Sequence, residues 1–121
     1  AFQKFVCIYS FLPEFYNQNK HRLLGPDGEW GELRDNYVTH ERLVDACLAH
    51  NTADRLKDIT VPTLVIHAAK DMVTSPRTTL PIEQGIPDAE GVMMKDTAHV
   101  VAGKDQKIEF CNILFSFLDK H

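Results

Sequence analysis

The stretch Val61-Pro62-Thr63-Leu64-Val65-Ile66-His67-Ala68-Ala69-Lys70-Asp71 decides the fold. Residues 63 to 67 are short, rich in β-branched side chains, and entered through Val61-Pro62, a dipeptide that favours extended backbone. They read as a buried parallel strand whose following loop delivers Asp71. Met72 to Ser75 lead to Pro76, which suits the first turn of a helix running to about Gln84, and Gly85 ends that helix. Ile86-Pro87-Asp88-Ala89 makes a turn, and Gly91-Val92-Met93-Met94 reads as a second strand carrying Lys95-Asp96-Thr97-Ala98-His99 at its carboxyl end. A strand, a helix and a strand in this order imply parallel neighbours joined by a right-handed crossover. Sites on open α/β sheets gather at the carboxyl edge, so Asp71 and His99 are expected within hydrogen-bonding reach of each other.

Working outward, the first half is helical. Phe2, Phe5, Val6 and Tyr9 recur at i, i+3, i+4 and i+7, which marks an amphipathic helix over residues 1 to about 11. Pro13 starts another, with Leu12, Phe15, Tyr16 and Leu23 as its stripe, until Gly25-Pro26-Asp27-Gly28 breaks the chain. A third helical region spans about 32 to 50, its apolar face made by Leu43, Val44, Cys47 and Leu48. Three helices without a strand, then α/β alternation, place a boundary near residues 51 to 60 and divide the chain into 1–53 and 54–121. At the far end a helix from about 103 through Lys120 carries Phe110, Cys111, Ile113, Leu114, Phe117 and Leu118. A stripe that wide is expected to be buried against a sheet.

Composition narrows the function classes. With 44% hydrophobic and 25% charged residues the 121-residue chain is ordinary for a water-soluble globular protein. A formal net charge of -4 gives no basic footprint for nucleic acid or an acidic membrane. No apolar run approaches a membrane span. The three cysteines, Cys7, Cys47 and Cys111, are far apart and form no C-x-x-C pair, so they are expected as buried, reduced thiols of a cytoplasmic protein. No metal-binding His spacing occurs, and no Gly-rich phosphate loop follows a strand, so neither a metal nor a nucleotide cofactor is expected.

His99 suits a general base, because a neutral imidazole near pH 7 takes a proton and returns it to a leaving group. That work needs a fixed tautomer, which a carboxylate on the second ring nitrogen supplies; Asp71 is assigned that role. Asp96 is the alternative acid, but three residues from His99 it is too local to orient the ring from behind and reads as a solvated turn carboxylate. Lys70 and Lys95 read as soluble rim residues. His21, His40, His50 and His121 read as surface residues, and His67, inside the first strand, as a hydrogen-bonded core residue. Ser10, Ser75 and Ser116 lack the flanking glycines of a nucleophile elbow.

The residues from Asp54-Arg55-Leu56-Lys57-Asp58-Ile59 through Thr60-Val61-Pro62-Thr63-Leu64-Val65-Ile66-His67 to Asp71 resemble the segment before the catalytic acid in the α/β-hydrolase superfamily. Ile86-Pro87-Asp88-Ala89, a strand and then Ala98-His99 are similar to the segment carrying that family's base, and residues 108 to 118 to its closing helix. Ala69 and Ala98 depart from the pattern where the family has Gly near or at those positions. The resemblance covers residues 54 to 121 and implies an α/β fold: the carboxyl-terminal part of an α/β-hydrolase, with parallel strands and a crossover helix, preceded by a helical cap. It implies that residues 1–53 act as a lid; aromatics at helical spacing are more often core than pocket, but in a lid some of Phe11, Phe15, Tyr16 and Trp30 would touch substrate.

It further implies a triad of which this chain holds Asp71 and His99. The nucleophile and oxyanion donors lie upstream, before Ala1, so the expected partner is the upstream portion of the same polypeptide, with a second copy of the chain as the other candidate. A start at Ala1 without an initiator Met favours a processed or nicked product. The implied activity is cleavage of an ester, lactone or related bond, C–C bonds included, of a small apolar substrate. An Asp nucleophile would shift it to epoxide or haloalkane hydrolysis. A non-catalytic binding protein that keeps the fold is the alternative from a different class.

Overall fold

The computed structural model describes residues 2–24 and 37–121. The Gly25-to-Gly28 break, Trp30 and the start of the third helical region lie outside them. In order come α1 (Phe2–Ser10), α2 (Pro13–Leu24), α3 (Tyr37–Ala49), a 3₁₀ segment (Ala53–Asp58), β1 (Thr63–Ala68), α4 (Pro76–Gly85), β2 (Ala89–Met94) and α5 (Lys104–Leu118). The mixture of helices and a two-stranded parallel sheet is that of an α/β chain.

Val61-Pro62 straightens the backbone into β1, and Thr63 pairs with Ala89, continuing in register to Ala68 opposite Met94. The second strand therefore starts two residues earlier than the sequence suggests. Ala89 and Glu90 have little strand preference of their own, but the Thr63 amide donates to the Asp88 carbonyl at 2.9 Å and draws them into the ladder. Pro76 occupies the first turn of α4, where its missing N–H costs nothing. Pro81 removes a donor inside that helix, and the helix nevertheless runs on to Gly85.

One hydrophobic cluster stands out among the described residues. Cys7, Phe11 and Leu23 are buried between α1 and α2, with Phe15, Tyr16, Leu24, Val100 and Ala102 packed on them. Burial there pushes the Cys7 thiol up, which keeps it protonated and inert. The Val100 amide donates to the Ser10 carbonyl at 2.8 Å, so the helical pair docks directly on the loop that follows His99. Ile86, Met94 and Ala98 are buried as well.

Several sequence expectations about burial are corrected. Only His67 of β1 is fully buried, the other strand residues being half-buried. Phe110, Ile113, Leu114 and Phe117 of α5 are half-buried, whereas Cys111, Ile108, Phe115 and Leu118 are exposed. Two strands are too narrow to cover a stripe that wide. The α3 face is exposed as well: Leu43, Val44, Cys47 and Leu48 all face outward, and no residue of α3 is buried. Of the three thiols, only Cys7 is buried. Among the remaining histidines His40 is half-buried, whereas His21, His50 and His121 are exposed.

Candidate active site

The two strands end side by side, and their loops are stitched together by backbone. Ala69 N–H donates to Met94 O and Lys70 N–H to Thr97 O, each at 3.0 Å. Ala69 and Ala98, standing where glycine was the pattern, are accommodated: Ala69 extends the ladder and Ala98 is buried. This stitching brings Asp71 and His99 together. His99 Nδ1 lies 3.0 Å from Asp71 Oδ2.

The carboxylate is fully engaged. Its Oδ1 accepts from the Val73 and Thr74 amides at 2.7 and 2.8 Å. Its Oδ2 accepts from the Thr74 hydroxyl at 2.9 Å as well as from His99. Asp71 keeps only 8% of its side chain exposed, against 37% for His99. Burial pushes its carboxyl up, but the two amides, the imidazole and the hydroxyl together outweigh that and hold it below the usual carboxylate range. Asp71 is therefore an ionised, acceptor-only group, which puts the ring proton on Nδ1 and leaves a lone pair on Nε2. The Thr74 hydroxyl also sits 3.4 Å from Nδ1, beside the shared oxygen. Among the described residues Nε2 has no hydrogen-bond partner.

The ring borders a cleft of about 490 Å³ lined by Phe5, Val6, Tyr9, Ser10, Met72, Val73 and His99. Its walls are apolar and come from α1 on one side and the acid loop on the other. Phe5 and Tyr9 lie against each other with ring centroids 4.8 Å apart. Of the aromatics named from the sequence, the three among the described residues sit elsewhere. Phe11 is buried in the α1–α2 core, stacked on Phe15 at 5.4 Å, and Tyr16 packs on the same core. Periodicity had marked Phe5 and Tyr9 as a helix face without saying what that face meets.

Asp96 turns away from His99 and pairs with Lys70 at 2.7 Å, with 75% of its side chain exposed. The Lys70 hydrogen bond and charge hold the Asp96 carboxyl below its usual value, and Asp96 in turn raises Lys70. Lys95 is exposed. Ser10 lines the cleft, Ser75 stands at the N-cap position of α4 without a side-chain capping bond and Ser116 lies exposed on α5, and none is hydrogen-bonded to His99. Sequence reasoning missed Val73 and Thr74, though an Asp followed three residues later by Thr is a turn signal in which side chain and backbone bond each other. Among the described residues no three His, Cys, Asp or Glu side chains converge as a metal site, and no helix is long and apolar enough to cross a membrane.

No family model matches the chain. A stretch of 72 residues is 35% identical to Lipase 3 of Moraxella sp. (strain TA144), covering 57% of this chain and 23% of that protein. The matched stretch thus spans less than a quarter of the lipase's length, a distant relation to an enzyme of the hydrolase class.

Proposed function

We propose that the chain is the carboxyl-terminal portion of an α/β-hydrolase-type enzyme, with Asp71 and His99 as the acid and base of a triad whose nucleophile lies upstream in the same polypeptide. The observation that carries this reading is the 3.0 Å contact between His99 Nδ1 and a saturated, buried Asp71 carboxylate, which leaves Nε2 as a free base beside an apolar cleft. The partial similarity to a lipase supports the same class.

In this reading a serine hydroxyl attacks the substrate carbonyl while His99 Nε2 takes its proton. Asp71 stabilises the imidazolium through Nδ1–H and is not itself protonated. The imidazolium then protonates the leaving alkoxide as the carbon–oxygen bond breaks, and an acyl-enzyme remains. Water attacks next, giving its proton to Nε2, and the serine leaves with that proton. The walls made by Phe5, Val6, Tyr9, Met72 and Val73 favour a small apolar ester, lactone or related substrate. An Asp nucleophile would turn the same His99 toward activating water on an alkyl-enzyme ester.

The exposed apolar faces of α3 and α5 support a partner, the upstream portion of the polypeptide. Residues 1–53 serve as the lid in this reading, since α1 forms one wall of the cleft. The test is turnover of a short-chain p-nitrophenyl ester by the whole protein. His99→Ala should lower kcat on the order of 10⁶-fold with the fold intact. Equal turnover by parent and variant would remove His99 from the reaction, and no turnover by the parent would leave a non-catalytic binding role.

A further inference from the structure

A side-chain network built on a buried histidine lies outside the dyad. His67 of β1 is 2% exposed, with Nε2 2.7 Å from Glu83 Oε2 and Nδ1 2.7 Å from Thr79 Oγ1, both partners standing on α4. Glu83, a carboxylate, accepts, so Nε2 carries a proton and Nδ1 accepts from the Thr79 hydroxyl. That single hydroxyl proton has an alternative acceptor in Pro76 O at 3.4 Å, and the shorter bond takes it. The cluster depends on a gap in the sheet. His67 and Gly91 share a face by strand alternation, and the Glu83 carboxylate lies where a Cβ on Gly91 would be. Any side chain at Gly91 would collide with it.

We infer that His67, Glu83 and Thr79 form a clamp between β1 and α4 that holds the acid loop in register with His99, making His67 and Glu83 positioning residues. The loop of residues 69–75 hangs between the end of β1 and the start of α4, so its shape follows the relative position of those two elements. His67 lies four residues before Asp71, and Thr79 and Glu83 follow Thr74 by five and nine. An apolar contact alone would let α4 slide along the strand, since van der Waals packing has little directional preference. Two short directional bonds to one ring resist such a slide. A slide would carry the Val73 and Thr74 amides off Asp71 Oδ1, and with them the carboxylate oxygen that His99 Nδ1 meets.

The effect on rate rests on the hydrolytic reading above; the effect on geometry does not. The experiment therefore reads both in the whole protein. One readout is the downfield proton resonance of His99 Nδ1–H, assigned by its loss in His99→Ala. The other is kcat and KM on a short-chain ester. Glu83→Ala should broaden or shift that resonance and lower kcat about tenfold to a hundredfold, the order expected for a displacement of roughly an ångström, with KM unchanged. His67→Gln should retain the parent resonance and kcat, because its amide N–H reaches Glu83 while its carbonyl accepts from Thr79. Should Glu83→Ala fail to fold, Gly91→Ala displaces the same carboxylate without deleting a polar group and should give the same pair of changes.

A parent-like resonance and kcat in folded Glu83→Ala or Gly91→Ala overturns the clamp. So does a folded His67→Gln that loses both. A resonance that responds as expected in a protein with no turnover at all overturns the hydrolytic reading and leaves the clamp standing.

Discussion

Replacing Asp71 by Asn tests the tautomer argument without changing the size of the side chain. The two positions of the carboxylate are not equivalent. Oδ1 accepts from two backbone amides at 2.7 and 2.8 Å, so an asparagine must place its carbonyl oxygen there. Its NH₂ then falls on the Oδ2 position, 3.0 Å from His99 Nδ1, and it can only donate. The ring must respond by accepting at Nδ1, which moves its proton to Nε2, the nitrogen required as a base. Loss of the correct tautomer in a Ser-His-Asp arrangement lowers kcat by about 10⁴-fold, roughly 5 kcal/mol of transition-state stabilisation. Steady-state hydrolysis of a short-chain ester by the whole protein gives kcat, and near-UV circular dichroism confirms that the variant folds. Asp96→Asn is the control, since that exposed carboxylate pairs with Lys70 rather than with His99, and it should leave kcat at the parent value. A folded Asp71→Asn protein within tenfold of the parent would refute the argument.

Thr74→Val removes the hydroxyl on Asp71 Oδ2 and should destabilise the fold by about 1.5–3 kcal/mol, the worth of a hydrogen bond to a charged group, while Thr74→Ser restores most of it; urea unfolding measures both. Because the folded Asp71 carboxyl is held below its unfolded value of about 3.9, its contribution to stability is complete above that pH and is lost as pH falls through the lower folded value. Asp71→Asn should therefore flatten the acid limb of a stability–pH curve, and an unchanged limb would place the responsible carboxylate elsewhere. Met94, almost wholly buried, should cost about 2–5 kcal/mol when cut to Ala, read from the shift in denaturation midpoint.

What was legible in the sequence tracks the range of the forces involved. β1 could be read from Val61-Pro62 and the branched run after it, because local backbone sterics settle that conformation. The start of β2 could not, because Ala89 and Glu90 become strand only through the Thr63 and Leu64 ladder opposite them. Helices were legible from their apolar spacing, but spacing does not say what covers a face. Hence Cys47 and Leu118 were expected inside and are exposed, whereas Phe11, Phe15 and Tyr16, whose helical spacing favoured core over substrate contact, do pack in the α1–α2 core. The pairing of Asp71 with His99 was suggested by chain order, each residue following a strand. The roles of Val73 and Thr74 depend on a turn three residues long, and those of Glu83 and Gly91 on how a helix sits on a sheet; neither leaves a mark in hydrophobic periodicity.

The central claim is that His99, oriented by Asp71, activates a nucleophile supplied by another part of the polypeptide. Labelling the whole protein with a serine-reactive fluorophosphonate and mapping the adduct by peptide mass spectrometry tests it most directly. The expected result is one phosphonylated serine outside residues 1–121, with labelling reduced by orders of magnitude in His99→Ala. An adduct on Ser10, Ser75 or Ser116, or labelling at an unchanged rate without His99, would contradict it.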